Sequence, residues 1–216
     1  MKNLKGFIFD MDGVVVDNHR YHFKAWMEFA AKHKFPLDEK IYRDTFNGKT
    51  NPDLFKMIFG ADISQKQMDA YAHEKESHYQ KIYESDMKPV KGLVDFLELL
   101  QSKRFKIALG TSAPTSNVDF TLDKLFLRKY FEVIVDGPQV IRGKPDPEVY
   151  VRCATLLDVD PKNCVVFEDS LAGLESGQRA GCEIVGVATS HEAFELKPLT
   201  EYIIHDFTDA RNLFRF

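Results

Sequence analysis

Cysteine is scarce in this chain: Cys153, Cys164 and Cys182 are its only three among 216 residues. An odd number, at spacings that match no metal-ligand pattern, argues against a disulfide framework or a zinc site. It predicts buried free thiols in a reducing cytoplasm. No apolar run approaches membrane-spanning length, and the N-terminus lacks the charged-then-apolar pattern of a secretory signal. A cytoplasmic location without a membrane partner is therefore expected. Basic charge is not in excess either, with 29 Lys and Arg against 33 Asp and Glu and a net charge of -4. That balance, without a Lys/Arg stripe, argues against nucleic acid as the partner. Also missing are a GxGxxG turn after a strand and a Walker sequence, so nothing points to a nicotinamide or flavin. No internal repeat or low-complexity segment is present.

What is present is the composition of a soluble globular protein, 44% hydrophobic and 29% charged. The length suits one good-sized core, or a core with a small inserted domain. The chain is organised around its first strand and the turn behind it. Leu4, Phe7, Ile8 and Phe9 form an apolar, β-prone run that leads into Asp10 and Asp12, with Gly13 next. Such runs suit a strand buried on both faces of a parallel sheet, and ligands of open α/β sheets bind outside the carboxyl ends of the strands. Two carboxylates so close repel unless a cation lies between them or one stays protonated.

After Asp17 the period changes. His22, Ala25, Trp26, Phe29 and Ala30 recur at helical spacing, and Pro36 ends that helix. Asp38 is placed to cap the next helix, with breaks expected at Asn47-Gly48 and near Gly60-Ala61-Asp62, and Ser64 opens a long polar helix. No strand is predicted between Asn18 and Asp86. From Met87 the chain alternates: a helix around Leu93 to Leu100, a strand Phe105–Leu109, a helix through Val118 and Leu122, and a strand Val133–Val135. A helix from Pro147 to Leu157, a strand Cys164–Phe167, a Gly/Ala-rich helix, and strands at Glu183–Val187 and Tyr202–Ile204 complete it. The predicted fold is α/β: a Rossmann-like parallel sheet core with helices on both faces, from residues 1–16 and 88–216, and an inserted all-helical domain at 17–87. The C-terminal stretch from Asp209 to Phe216 is expected to pack on the core.

Chemically loaded residues follow the strands. Asp10 and Asp12 follow the first, Thr111 and Ser112 the second, Lys144 the third, and Glu168 and Asp169 the fourth. In a parallel sheet these ends share one edge. Each residue has an ordinary role open to it: Thr111 as a helix cap, Lys144 as a solvated lysine, Glu168 and Asp169 as acids at a helix start. Together they form a set for handling a phosphoryl group, with carboxylates for Mg²⁺, hydroxyl donors beside a helix N-terminus, and a lysine to offset charge.

Taken in order, Asp10-Met11-Asp12-Gly13-Val14, Thr111, Gly143-Lys144-Pro145 and Glu168-Asp169-Ser170 resemble the motifs of the haloacid dehalogenase-like hydrolases. The similarity is to the branch that holds β-phosphoglucomutase and sugar-phosphate phosphatases, and it spans essentially the whole chain. It implies that Asp10 is the nucleophile forming an aspartyl-phosphate, and that Asp12 is the general acid and base. It implies that Thr111, with Ser112 beside it, and Lys144 hold the phosphoryl oxygens. Mg²⁺ would be held by Asp10, the Asp12 backbone, Asp169 and Glu168. The helical insert resembles the family's cap, in which His22 and Lys75 match substrate-facing positions. The mutase branch has an arginine and a lysine, for the phosphate that is not reacting, where this chain has Asn51 and Pro114; Lys49 is a nearby substitute. The expectation is thus a phosphatase of a small phosphorylated sugar or polyol, monomeric or weakly dimeric. β-Phosphoglucomutase is the alternative, and a phospho-accepting signalling domain a more distant one.

Overall fold

The computed structural model of the chain describes residues 3–46 and 49–214. Strand β1, Gly6–Phe9, is buried at every position. The backbone then tightens: the Met11 carbonyl accepts from Val15 N at 2.8 Å, and Gly13 N donates to Val16 O at 2.7 Å. Val14, Val15 and Val16 are buried by this turn, so the two aspartates stand on a firm apolar footing.

The chain divides into two compact units, Asn18–Met87 and the remainder. The first consists of helices joined by turns, with no strand among its described residues. Helix α1, His19–His33, buries Tyr21, His22, Ala25, Trp26, Phe29 and Ala30, and ends on Lys34 in the left-handed region. Helix α2, Glu39–Ile41, is capped by Asp38, whose carboxylate accepts from Ile41 N at 2.7 Å. It runs directly into a π-helical turn over Tyr42–Phe46, which the periodicity did not distinguish from ordinary helix. The break expected at Asn47-Gly48 lies outside the described residues. Helix α3, Asn51–Phe59, ends at Gly60, and helix α4, Gln65–Tyr83, is capped by Ser64. Trp26, Phe29, Phe46, Leu54, Phe55 and Met68 form this unit's own core.

The other unit continues with α5 (Leu93–Ser102), β2 (Lys106–Gly110), α6 (Thr115–Lys124) and β3 (Val133–Val135). It then runs through α7 (Glu148–Leu156), β4 (Cys164–Glu168), α8 (Leu171–Ala180), β5 (Glu183–Val187), α9 (Ala193–Leu196) and β6 (Ile203–Ile204). The six strands form one sheet in the order β3-β2-β1-β4-β5-β6, with each neighbouring pair parallel. The alternation of β1 splits its residues between two cores. Phe7 and Phe9 meet Phe96 of α5 and Phe167 of β4, with the Phe9 and Phe167 rings stacked at 4.8 Å. Ile8 turns to the opposite face and joins Val149, Tyr150, Cys153 and Ala154 of α7. Phe214 packs its ring on Phe7 and Phe96, as expected of the C-terminal segment. Cys153 and Cys164 are buried and Cys182 half-buried, all as free thiols. Among the described residues no helix is long and apolar enough to cross a membrane.

Candidate active site

The sheet order changes direction at β1, because the chain fills β2 and β3 on one side before returning to β4, β5 and β6 on the other. Crevices at such switch points are where open α/β sheets bind ligands. Register makes the placement specific. Phe9 pairs with Leu109 on one side and Phe167 on the other, so Asp10 emerges between the ends of β2 and β4. Asp10 N donates to Phe167 O at 3.0 Å, which anchors its backbone as the strand ends.

Asp10, Lys144, Glu168 and Asp169 come together here, all buried. Lys144 Nζ lies 3.0 Å from Asp10 Oδ1, an ion pair without the alignment of a full hydrogen bond, and 2.5 Å from Glu168 Oε1. Burial raises the Asp10 carboxyl well above the usual carboxylate range; Lys144 opposes this, while Glu168, Asp169 and Asp12 add to it. Burial draws Lys144 down, but the attraction of Asp10 and Glu168 outweighs it and holds the ammonium charged. One cation thus faces a surplus of carboxylate. Asp10, Glu168 and Asp169 each offer an oxygen within 4.8 Å of the others. A buried, oxygen-only donor set with more negative charge than Lys144 can balance fits a hard divalent cation such as Mg²⁺.

Glu168 is held at both of its oxygens. Its Oε1 accepts from Lys144 and, at 2.9 Å, from the Tyr150 hydroxyl, while its Oε2 accepts from Ser170 N at 2.8 Å and Ser170 Oγ at 3.0 Å. Ser170 also caps α8, so the carboxylate sits at that helix's positive end. A Cβ on Gly173 would lie 1.8 Å from Glu168 Oε1, so glycine is required for the carboxylate to lie across this first turn.

Thr111 is buried at the end of β2, and its Oγ1 accepts from Ala113 N at 3.1 Å. The half-buried Ser112 follows it in the same turn. That turn is held to the end of β3: Thr111 N donates to Val135 O, Gly137 N donates to Ala113 O, and Thr115 Oγ1 donates to Asp136 Oδ2 at 2.5 Å. Asp12 lies half-buried two residues beyond Asp10. The sequence placed Lys144 just past a strand. It comes instead from the loop between β3 and α7, several residues beyond Val135, and reaches the strand ends through its side chain. Asp136 and Tyr150 were not singled out beforehand. Asp136 directly follows β3, so the same strand-end logic could have found it. Tyr150 sits in the apolar stripe of α7 and looks like plain core.

The remaining candidates lie in the helical unit. Lys75 Nζ donates to His22 Nδ1 at 2.9 Å and meets Glu76 Oε1 at 3.0 Å, and Asn51 Nδ2 donates to Glu76 Oε1 at 2.7 Å. The His22 ring stacks on Tyr79 with centroids 3.8 Å apart. His22, Lys75 and Asn51 thus share one network, while Lys49 is exposed.

Residues 4–181 match the haloacid dehalogenase-like hydrolase family. A phosphorylated carbohydrates phosphatase of Thermotoga maritima is 36% identical over 188 residues, covering 87% of each chain. The β-phosphoglucomutase of Bacillus subtilis is 31% identical, over 85% of this chain and 83% of its own. Among solved structures, β-phosphoglucomutase from Clostridium difficile superposes with a TM-score of 0.83 at 26% identity, over 99% of this chain and 94% of that one. From strand-end motifs through sheet order to these likenesses, the chain belongs to the haloacid dehalogenase-like hydrolases and is an enzyme of that family.

Proposed function

We propose that the protein is a Mg²⁺-dependent phosphomonoesterase acting on a small phosphorylated sugar or polyol through an aspartyl-phosphate on Asp10. The observation that carries this reading is the buried Asp10–Lys144 pair at the switch point of the sheet, 3.0 Å apart, with Asp169 and Glu168 alongside. The Asp10 carboxylate attacks phosphorus, an oxygen–phosphorus bond forms to Asp10 and the ester bond breaks. Asp12 gives its proton to the departing alkoxide, then takes one from the water that attacks the aspartyl-phosphate and releases inorganic phosphate. Lys144 limits repulsion between Asp10 and the incoming dianion. Thr111 and the backbone of its turn, with Ser112, receive the equatorial oxygens beside the start of α6. Asp10 and Asp169, with Glu168 nearby, would hold Mg²⁺, which supplies charge neutralisation and a template for the phosphoryl oxygens.

The relatives, which include a phosphatase of phosphorylated carbohydrates and a β-phosphoglucomutase, support this substrate class. Asn51 favours the phosphatase. The family resemblance puts it where the mutase branch has an arginine, and it donates to the buried Glu76 carboxylate. Lys75 is paired with that same carboxylate. A neutral amide bound to an anion is a poor clamp for a second phosphate dianion. In ³¹P NMR with Mg²⁺, β-glucose 1-phosphate and a trace of the 1,6-bisphosphate, inorganic phosphate is expected to grow. Glucose 6-phosphate growing without free phosphate would replace this reading with the mutase. A signalling receiver would turn over neither these compounds nor an aryl phosphate.

A further inference from the structure

Tyr150 has no assigned part in the chemistry above, yet its position is specific. It is fully buried on α7, a helix that supplies none of the strand-end motifs. Its hydroxyl donates to Glu168 Oε1 at 2.9 Å, the same oxygen that receives Lys144 Nζ at 2.5 Å. Its ring lies under the Lys144 ammonium, 5.0 Å from Nζ to centroid. Helix α7 packs closely on the end of β2, where a Cβ on Gly110 would stand 2.9 Å from Cys153 Sγ and 3.4 Å from Tyr150 Cδ1.

A buried tyrosine hydroxyl needs an acceptor somewhere, and that need alone would explain one hydrogen bond. It does not explain why the ring also lies against the ammonium that shares the hydroxyl's acceptor oxygen. Lysine has a long, flexible stem, and its charge is useful to Asp10 only at a fixed point. Glu168 can fix that point only if its own carboxylate cannot rotate. Ser170 holds Oε2, and Tyr150 provides the second hold, on Oε1. The ring adds a cation–π contact from below.

We propose that Tyr150 is a positioning residue for the phosphoryl site, fixing the Lys144 ammonium against Asp10 by way of Glu168. The kinetic consequence rests on the phosphatase reading; the structural one does not. Tyr150→Phe keeps the ring and removes one hydrogen bond to a charged group, so kcat on an aryl phosphate is expected to fall about tenfold with KM within about twofold. Because Tyr150 acts through Glu168, its loss should cost little more in a Glu168→Gln background.

An activity-independent arm uses the side-chain ¹⁵N signal of the Lys144 ammonium, identified by its disappearance in Lys144→Met. It is expected to be sharp and protected in the wild type, and shifted and broadened in Tyr150→Phe. An unchanged Lys144 signal overturns the proposal whether or not the enzyme turns over. A changed signal with no turnover of any phosphomonoester by the wild type upholds the positioning and overturns the phosphatase reading instead. Equal kcat in wild type and Tyr150→Phe, or a loss that multiplies in full with that of Glu168→Gln, also overturns it.

Discussion

Lys144 is the residue on which the charge balance of the site turns. It is almost fully buried and faces both Asp10 and Glu168. Lys144→Met would leave those carboxylates buried without their cation, a loss expected to cost about 3–5 kcal/mol in chemical denaturation. The loss should shrink at acid pH, where the carboxylates take up protons. Cys164 reports the opposite end of the pH scale. Burial pushes its thiol from 9.0 up to about 11. A folded value above the unfolded one stabilises the fold in full below pH 9 and loses that contribution as pH rises towards 11, on the order of 2 kcal/mol. Melting temperature followed from pH 8 to 11 should show this decline, and Cys164→Ala should lessen it, with Cys153 and Cys182, also raised by burial, supplying the remainder. At this scale the sequence was most readable where chemistry outruns structural need. Asp10, Asp12, Thr111 and Asp169 are polar residues crowded behind apolar strands, which a turn alone does not require. Tyr150 was hidden, because a tyrosine at helical spacing among Val149, Cys153 and Ala154 fits the core pattern as well as any other.

Single elements show how little freedom the site has. Helix α8 is capped by Ser170, which donates to the Glu168 carboxylate at the helix's amino end, and it leaves no room for a side chain at Gly173. Gly173→Ala is therefore expected to destabilise the protein by about 1–3 kcal/mol, and to lower activity beyond the fraction unfolded, since Glu168 must move. Ser64→Ala removes the cap of α4 and should cost about 1 kcal/mol in urea denaturation, with no equivalent effect on Glu168. Caps and strands were legible because they rest on local rules: Asp38, Ser64 and the β-prone runs each fall where their chemistry places them. The π-helical turn at Tyr42–Phe46 was not, because one extra residue in a turn leaves the apolar spacing nearly intact. Nor was the route of Lys144. A Gly-Lys-Pro turn announces a fixed lysine but not the length of loop between it and the strand.

At the scale of the whole molecule, one sheet positions the buried Asp10, Lys144, Glu168 and Asp169 cluster, and a separate helical core carries a second polar network. The alternation of strand and helix made the sheet readable, and the absence of β-prone runs from Asn18 to Asp86 set the helical insertion apart. What the sequence could not supply was the pairing within each network, such as Asn51 with Glu76, since hydrogen-bond partners far apart in the chain leave no periodic trace. The account stands on Asp10 as the group that takes the phosphoryl. The most direct test is to quench the Mg²⁺-loaded enzyme in acid during turnover of an aryl phosphate, reduce it with borohydride and map the product by mass spectrometry. Reduction of an aspartyl-phosphate leaves homoserine, and the prediction is homoserine at position 10 alone. A fully active enzyme with Asp10 unmodified, or with homoserine elsewhere, would contradict the account.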